Sequence, residues 1–575
     1  MNFKQYIPAF DWLTNYKKDH FKGDLSAGLT VGVMLIPQGM AYAMIAGLPP
    51  IYGLYASTLP LIIYALLGTS RQLAVGPVAM VSLLTAAGIG TLAVGGTATY
   101  IALAITLAFL VGLIQFLLGV FRLGFLVNFL SHPVISGFTS AAALIIGLSQ
   151  LKHLLGINLG RSHHIHEILL EAFERMGELN WATFAIGIGG IILIKGIKKI
   201  NKAIPGSLLA VVFGIVTVMG LGLTAQDVKI VGEVPEGLPS FVLPDFSIAT
   251  MKTLLPVALA ISLVSFMESI AVAKAIQAKH KDYKVVPNQE LIALGLANIG
   301  GSFLQSYPVT GGFSRTAVND EAGAKTGMAS IISAVLIILT LLFLTPLFYY
   351  LPNAILASII MVAVFGLIDI KEAKYLWTAN RSDFWMLIAT FVATLTLGIE
   401  QGIGIGVVLS LAMIIFRTTR PHVAALGNVP GTHFYRNIDR FEQVEERPDL
   451  LIFRFDAQLY FANTSFFKES LEALVAEKGT ALKTIILCFN SINNIDSSAA
   501  HTLEEIVEYY RTNHIKVLFT GVRGPVRDAM ERAHLMEKIG RENCFMGIQE
   551  AVDFMDGQRL KKAEDMDEYI LQTNE

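Results

Sequence analysis

Apolar positions along this chain fall into long blocks with no charge at all. Residues 25–70, 72–121 and 326–368 contain no Asp, Glu, Lys or Arg. A membrane span needs about 20 apolar residues, so each block holds two spans or more. A buried soluble core would need polar faces between its helices, and none is visible there. Apolar runs between Gly, Pro and charged breaks predict about fourteen segments. They form two halves, about 25–221 and 253–418, separated by a polar stretch at 222–252 that holds Pro235, Pro239 and Pro244. Beyond residue 430 the period changes. DLLIFRFDAQLYF, LKTIILCF and IKVLFTG read as strands, and 463–478, 498–512 and 523–538 as helices. The expected architecture is an all-α polytopic membrane domain followed by a small α/β domain with a mainly parallel sheet. The boundaries expected are 1–24 for an N-terminal segment, 25–420 for the membrane domain, 431–556 for the α/β domain and 557–575 for an acidic tail.

Charge sharpens that division. Residues 431–575 carry 42 of the chain's 88 charged residues and a net charge of −8, whereas 1–430 carry +6. The acidic part excludes nucleic acid as a partner and excludes a polybasic lipid anchor. Cys488 and Cys544 both lie in it and fit a reducing compartment without a disulfide framework. The polar, aromatic start of the chain does not read as a cleavable signal peptide. Lysines and arginines fix an expected orientation. Lys4, Lys17, Lys18 and Lys22, then Lys195, Lys198, Lys199 and Lys202, then Lys274, Lys279, Lys281 and Lys284, then Lys371, Lys374 and Arg381 all fall on one side if every segment crosses. The positive-inside rule places that side, and both termini, in the cytoplasm of a cell (plasma or inner) membrane. Residues 161–180 read as an amphipathic surface segment. His163, His164 and His166 within it have no fourth ligand nearby, so no metal site is expected.

Two interrupted segments carry the chemistry. In 71–90, Gly76-Pro77 stops any entering helix, and a helix starting at Pro77 has room for only about 14 residues, about 20 Å. In 306–325, Pro308, Gly311 and Gly312 break the chain before another short helix. Half-helices at matching positions of two halves point to a transporter binding site. Their N-termini present unpaired N–H groups and partial positive charge, an anion site that needs no cofactor. Arg315, just inside the second half-helix, either supplements that charge or snorkels to the interface. Glu268 is the only charge between Lys252 and Lys274. An acid within a span is costly and calls for a function, either a carboxyl that carries a coupling proton or a fixed ion pair with Arg315. Gln38 and Tyr42 share a face of the first span, where they line a polar cavity or bond between helices. The α/β domain shows no phosphate loop and no nucleophile–base set, so no enzymatic activity is expected.

These residues resemble the sulfate-permease (SulP) family of anion transporters. IPQGMAYAMIAGLPPIYGLY at 36–55, GTSRQLAVGPVAMVSLL at 68–84 and PVTGGFSRTAVN at 308–319 are similar to its motifs, in order. IILCFNSINNIDSSAAHTLEEI at 485–506 resembles a STAS domain. The resemblance implies a uracil-permease-like fold of seven plus seven inverted repeats, an elevator-type movement of a core against a gate, and a homodimer in the bilayer. It implies an anion bound near Val78, Ala79, Phe313 and Ser314 with Arg315 close by, and Gln38 and Tyr42 facing the same site. Glu268 matches a position linked to cation coupling. The activity expected is secondary active transport of an inorganic oxyanion, sulfate with co-transported protons. The alternatives are sodium-coupled bicarbonate uptake, dicarboxylate uptake, and anion exchange or a channel. Asp496-Ser497-Ser498 keeps the pattern of phosphorylated STAS domains, which makes Ser497 a candidate phosphorylation site, and it equally suits a helix N-cap.

Overall fold

The computed structural model describes residues 7–125, 131–157, 165–200, 205–280 and 282–557. It divides into two compact units, Met1–Leu411 and Ala412–Glu575. The acidic tail beyond 557, together with His163 and His164, lies outside the described residues, and so does the side chain of His166.

The first unit is helical. Among the described residues, six helices are long and apolar enough to cross a membrane: Lys18–Ile45, Ala98–Val120, His132–Leu155, Trp181–Ile200, Ile248–Gln277 and Asn353–Ala379. The helices sort by packing into two lobes. In one, Lys18–Ile45 packs on Met328–Phe343, and Ala98–Val120 packs on both Pro287–Ser302 and Ile248–Gln277. Close approach there depends on small residues, since lipid offers no hydrophobic drive for helices to associate. A Cβ added at Gly112 would sit 2.6 Å from the Gly295 carbonyl oxygen, and one at Gly295 would sit 2.5 Å from the Phe116 amide. In the other lobe, His132–Ser149 packs on Arg381–Leu397, and Trp181–Ile200 on Asn353–Phe365. The polar stretch between the halves is mostly irregular between the turn Leu223–Gln226 and the helix that starts at Ile248, and backbone hydrogen bonds tie it down. Val231 N–H donates to the Leu351 carbonyl (2.8 Å), Gly237 to Leu341 (3.0 Å) and Val242 to Phe303 (3.0 Å).

Both broken segments form short helices, Ala79–Gly90 and Phe313–Glu321. The first starts at Ala79 rather than at Pro77, the position expected from proline's preference for a first turn. The residues before it are engaged elsewhere. Val75–Gly76 pairs antiparallel with Thr310–Gly311, in the register Val75 to Gly311 and Gly76 to Thr310. Each half-helix therefore emerges from one strand of a two-residue crossing.

The second unit holds a six-stranded sheet. Its spatial order is Tyr435–Asn437, Val423–Asn428, Leu450–Phe455, Thr484–Cys488, Lys516–Thr520, Cys544–Phe545. The last four strands are parallel, and the first two add antiparallel to their edge. The sheet thus begins at Val423, earlier than the strand pattern suggests. Alternation sends Ile485 and Leu487 to one buried face and Ile486 to the other. Helix Ser497–Thr512 is capped by Asp496, whose carboxylate accepts from Ala499 N–H at 2.8 Å. Ser497 is the first helical residue after that cap and is exposed.

Candidate functional site

The two half-helices begin on either side of the short strand crossing, and neither start is capped. Val78 and Gly312 stand at the N-cap positions in extended conformation, and neither makes a side-chain capping bond. The first intrahelical bonds are Ser82 N–H to the Val78 carbonyl and Thr316 N–H to the Gly312 carbonyl, both 3.0 Å. The amides of Ala79, Met80 and Val81, and of Phe313, Ser314 and Arg315, fall in first turns, where a helix offers no acceptor. Two positive helix ends therefore meet at one place inside the first unit.

Arg315 is buried, with 1% of its surface exposed. This corrects the interfacial alternative, because a snorkelling side chain would keep its guanidinium in water. Its Nη1 donates to the Pro77 carbonyl at 2.6 Å, while Nε and Nη2 have no partner. The guanidinium lies against the crossing itself. A Cβ on Gly312 would come within 2.9 Å of Nη2, and one on Gly76 within 3.5 Å. Glycine at both positions leaves the room the guanidinium occupies.

Tyr42, Glu268 and Tyr307 are the groups that interact electrostatically with Arg315. Glu268 is half-buried, and its Oε2 is enclosed without a hydrogen-bond partner. It forms no hydrogen-bonded pair with Arg315, whose bond goes to Pro77, so the fixed ion pair is not present. Gln38 and Tyr42 are both buried, and Gln38 Oε1 also lacks a partner. Val78 and Ala79 are buried, whereas Phe313 and Ser314 are exposed at the start of the second half-helix. Unsatisfied buried polar atoms are costly and uncommon. Here Glu268 and Arg315 supply three of them beside the uncapped helix ends, and Gln38 supplies another on the helix Lys18–Ile45, which packs on both half-helices.

A polar network fixes the crossing. Asn298 clasps the Val309 backbone, accepting from its N–H at 2.8 Å and donating to its carbonyl at 3.1 Å. Gln115 accepts from Asn298 at 3.2 Å and donates to Ser265 Oγ at 2.7 Å. Gly311 N–H donates to Ser269 Oγ (2.8 Å), which contacts Thr310 Oγ1 at 2.6 Å. Thr310 Oγ1 in turn donates to the Ser265 carbonyl at 2.7 Å. Tyr307 and Ser82 hydroxyls meet at 3.1 Å and join the two broken segments directly. None of these supports stands out in a reading for charges and helix breakers. The available signal is the stripe Ser262, Ser265, Ser269, spaced three and four residues apart on the helix that carries Glu268.

Comparison with known proteins identifies the family. Residues 21–390 match the sulfate permease family, and residues 442–551 match the STAS domain. The chain is 41% identical over 564 residues to sulfate transporter 4.1, chloroplastic, of Arabidopsis thaliana, covering 95% of this chain and 82% of that protein. It is 36% identical to high affinity sulfate transporter 2 of Stylosanthes hamata, covering 95% and 86%. Its fold superimposes on the murine Slc26a9 anion transporter in the inward-facing state with a TM-score of 0.89 at 27% identity, covering 96% of this chain and 94% of that one. The chain belongs to the sulfate permease family: it is a multi-pass membrane transporter with a C-terminal STAS domain, and not an enzyme.

Proposed function

We propose that this protein is a secondary active transporter that takes up sulfate together with protons. The observation that carries the reading is the pair of uncapped half-helix N-termini with Arg315 buried between them. Each helix end contributes roughly half a positive charge. With the guanidinium, the site presents about two positive charges, a match for a dianion. Sulfate's oxygens accept from the first-turn amides near Val78, Ala79, Phe313 and Ser314 and from the free Arg315 nitrogens, with Gln38 and Tyr42 at the same site. Several relatives are named sulfate transporters, which supports the choice of anion.

Glu268 is the coupling group. An ionised carboxylate beside Arg315 removes one unit of the site's positive charge, and a protonated one restores it. Proton and anion then bind in mutual favour, and by linkage each raises the affinity for the other equally. Symport follows if the loaded lobe crosses readily and the half-loaded lobe does not. The movement is of elevator type, with the lobe holding both half-helices sliding against the other. Seven plus seven inverted segments, a homodimer, and cytoplasmic termini in the cell membrane complete the reading.

The test is uptake of labelled sulfate by proteoliposomes under imposed proton or sodium gradients, with bicarbonate, chloride and fumarate as competitors. Concentrative sulfate uptake is expected with an inward proton gradient and not with sodium alone. Sodium-driven bicarbonate uptake, with sulfate neither carried nor competing, would overturn the reading.

A further inference from the structure

We infer that Glu290 and Asp24 are positioning residues of the anion site, each clamping the stretch of chain from which one half-helix hangs; this rests on the anion-site reading above. Both carboxylates are fully buried. Both also lie outside the cluster around Arg315, and among the described residues neither forms an ion pair. Instead each is saturated by neutral donors, all from a distant segment for Glu290 and all but Tyr16 OH for Asp24. Glu290 Oε1 accepts from Thr69 N–H (2.6 Å), Thr69 Oγ1 (2.6 Å) and Ser70 N–H (3.2 Å), and its Oε2 accepts from Tyr64 OH (2.5 Å). Asp24 Oδ1 accepts from the amides of Lys325 (2.7 Å) and Thr326 (2.9 Å). Its Oδ2 accepts from Thr326 Oγ1 (2.6 Å) and Tyr16 OH (3.1 Å). A carboxylate offers about four acceptor sites, and bonds to an ionised acceptor are roughly twice as strong as neutral ones.

The placement gives these clamps their role. Thr69 and Ser70 begin the linker that leads to the first half-helix. Lys325 and Thr326 close the linker that leaves the second. Between the two clamps the linkers are laced to each other. Asn319 Nδ2 donates to the Gln72 carbonyl (2.8 Å), and Gln72 Nε2 donates to the Ala324 carbonyl (3.1 Å). Ala74 N–H donates to Thr316 Oγ1 (3.0 Å), and Gly312 N–H donates to the Ala74 carbonyl (3.1 Å). The last rung is Arg315 to Pro77, at the anion site itself. A continuous hydrogen-bonded ladder therefore runs from the two carboxylates to the facing helix ends. The chain crosses between halves at each clamp: Glu290 of the second half holds the first half-helix, and Asp24 of the first half holds the second.

The prediction concerns where the damage appears. Glu290→Gln and Asp24→Asn keep size but lose charge and turn an amide donor towards existing donors, the Tyr64 hydroxyl or the three on Oε1 for Glu290 and two on either oxygen for Asp24. Each is expected to raise the KM for sulfate by about tenfold, the equivalent of roughly 1.4 kcal/mol, through a looser site. Amide hydrogen exchange should accelerate locally, over 69–78 and 310–326, with the helices of the other lobe unaffected. The milder Thr69→Val and Tyr16→Phe, each removing one donor, should move KM the same way by a smaller factor. They serve if the carboxylate variants do not fold. A fall in Vmax or abundance with KM unchanged, or exchange that rises evenly over the first unit, would overturn the inference. The exchange readout does not depend on the substrate, so wild-type protein that fails to carry sulfate counts against the transport reading alone.

Discussion

Arg315 Nη1 donates to the carbonyl oxygen of Pro77 at 2.6 Å, across the crossing that joins the two halves of the membrane unit. One guanidinium thus braces the chain entering the first half-helix while its remaining nitrogens stay free. Arg315→Ala should remove both a brace and a charge from the site. Losing a hydrogen bond to a charged group costs roughly 1.5–3 kcal/mol, so anion affinity should fall about 10- to 100-fold. Arg315→Lys should recover only part of this, because an ammonium cannot serve Pro77 and the anion with a planar fork. Equilibrium binding of labelled sulfate to purified protein checks both; unchanged affinity in Arg315→Ala would remove the arginine from the site.

Much of this site was legible before the structure, and the remainder was hidden for identifiable reasons. Gly76-Pro77 and Gly311-Gly312 behind Pro308 announce broken helices because proline and glycine act together there, whereas Pro37, Pro256 and the pair Gly300-Gly301 each sit inside a continuous helix. Their antiparallel pairing is not legible, since two-residue strands have no periodicity and meet across more than 230 residues. Burial of Arg315 is undecidable from sequence, as the same motif suits an arginine reaching for water. Asp24 looks like a boundary residue at the edge of an uncharged block, yet it is enclosed by a loop that follows 300 residues later. Strand Val423–Asn428 escapes because VAALGN is short and adjoins a membrane helix, so nothing marks where the period changes.

Gly312→Ala tests how closely the guanidinium is fitted. The new Cβ would lie 2.9 Å from Nη2 and 3.2 Å from Val78 Cγ1, so Arg315 must swing away from Pro77. Folding should survive, because the displaced atoms end a flexible side chain, and sulfate affinity should drop about as far as in Arg315→Ala. Gly112→Ala should do the reverse. There the obstacle is the Gly295 backbone oxygen at 2.6 Å, and overpacking of this kind costs roughly 1–3 kcal/mol. Thermal unfolding and sulfate affinity, measured on both variants, should separate in opposite directions.

The STAS unit should lose stability in acid through one identifiable cluster, Arg447 with Asp449 and Asp556. Hydrogen bonds from Arg447 hold the Asp449 carboxyl below the usual carboxylate range, with partial burial opposing them. A depressed folded-state value means that the contribution is complete above the unfolded carboxylate range, near pH 4, and is lost as pH falls through the folded value. The pair is partly exposed, so the effect is at most about 1 kcal/mol. Arg447→Gln should lower the STAS thermal midpoint at pH 7 and by progressively less as the pH is taken below about 4; an equal drop at every pH would contradict the assignment.

On the proposed reading, Glu268 ties anion movement to protons. Its enclosed Oε2 accepts no hydrogen bond, and Arg315, the cation that acts on it, spends its hydrogen bond on Pro77 instead. Replacement by Gln mimics the protonated acid in shape and neutrality, and the site keeps its positive charge throughout. Anion binding should therefore survive, and sulfate–sulfate exchange across proteoliposomes should continue within a few-fold of wild type. Proton-driven accumulation should disappear, because no proton is released on the far side to make the cycle directional. The pH dependence of exchange should flatten with it, since the group whose charge opposes the anion is gone. If Glu268→Gln still concentrates sulfate against its gradient when a proton gradient is imposed, the carboxyl is not the coupling site, and a proton must reach the anion by another route.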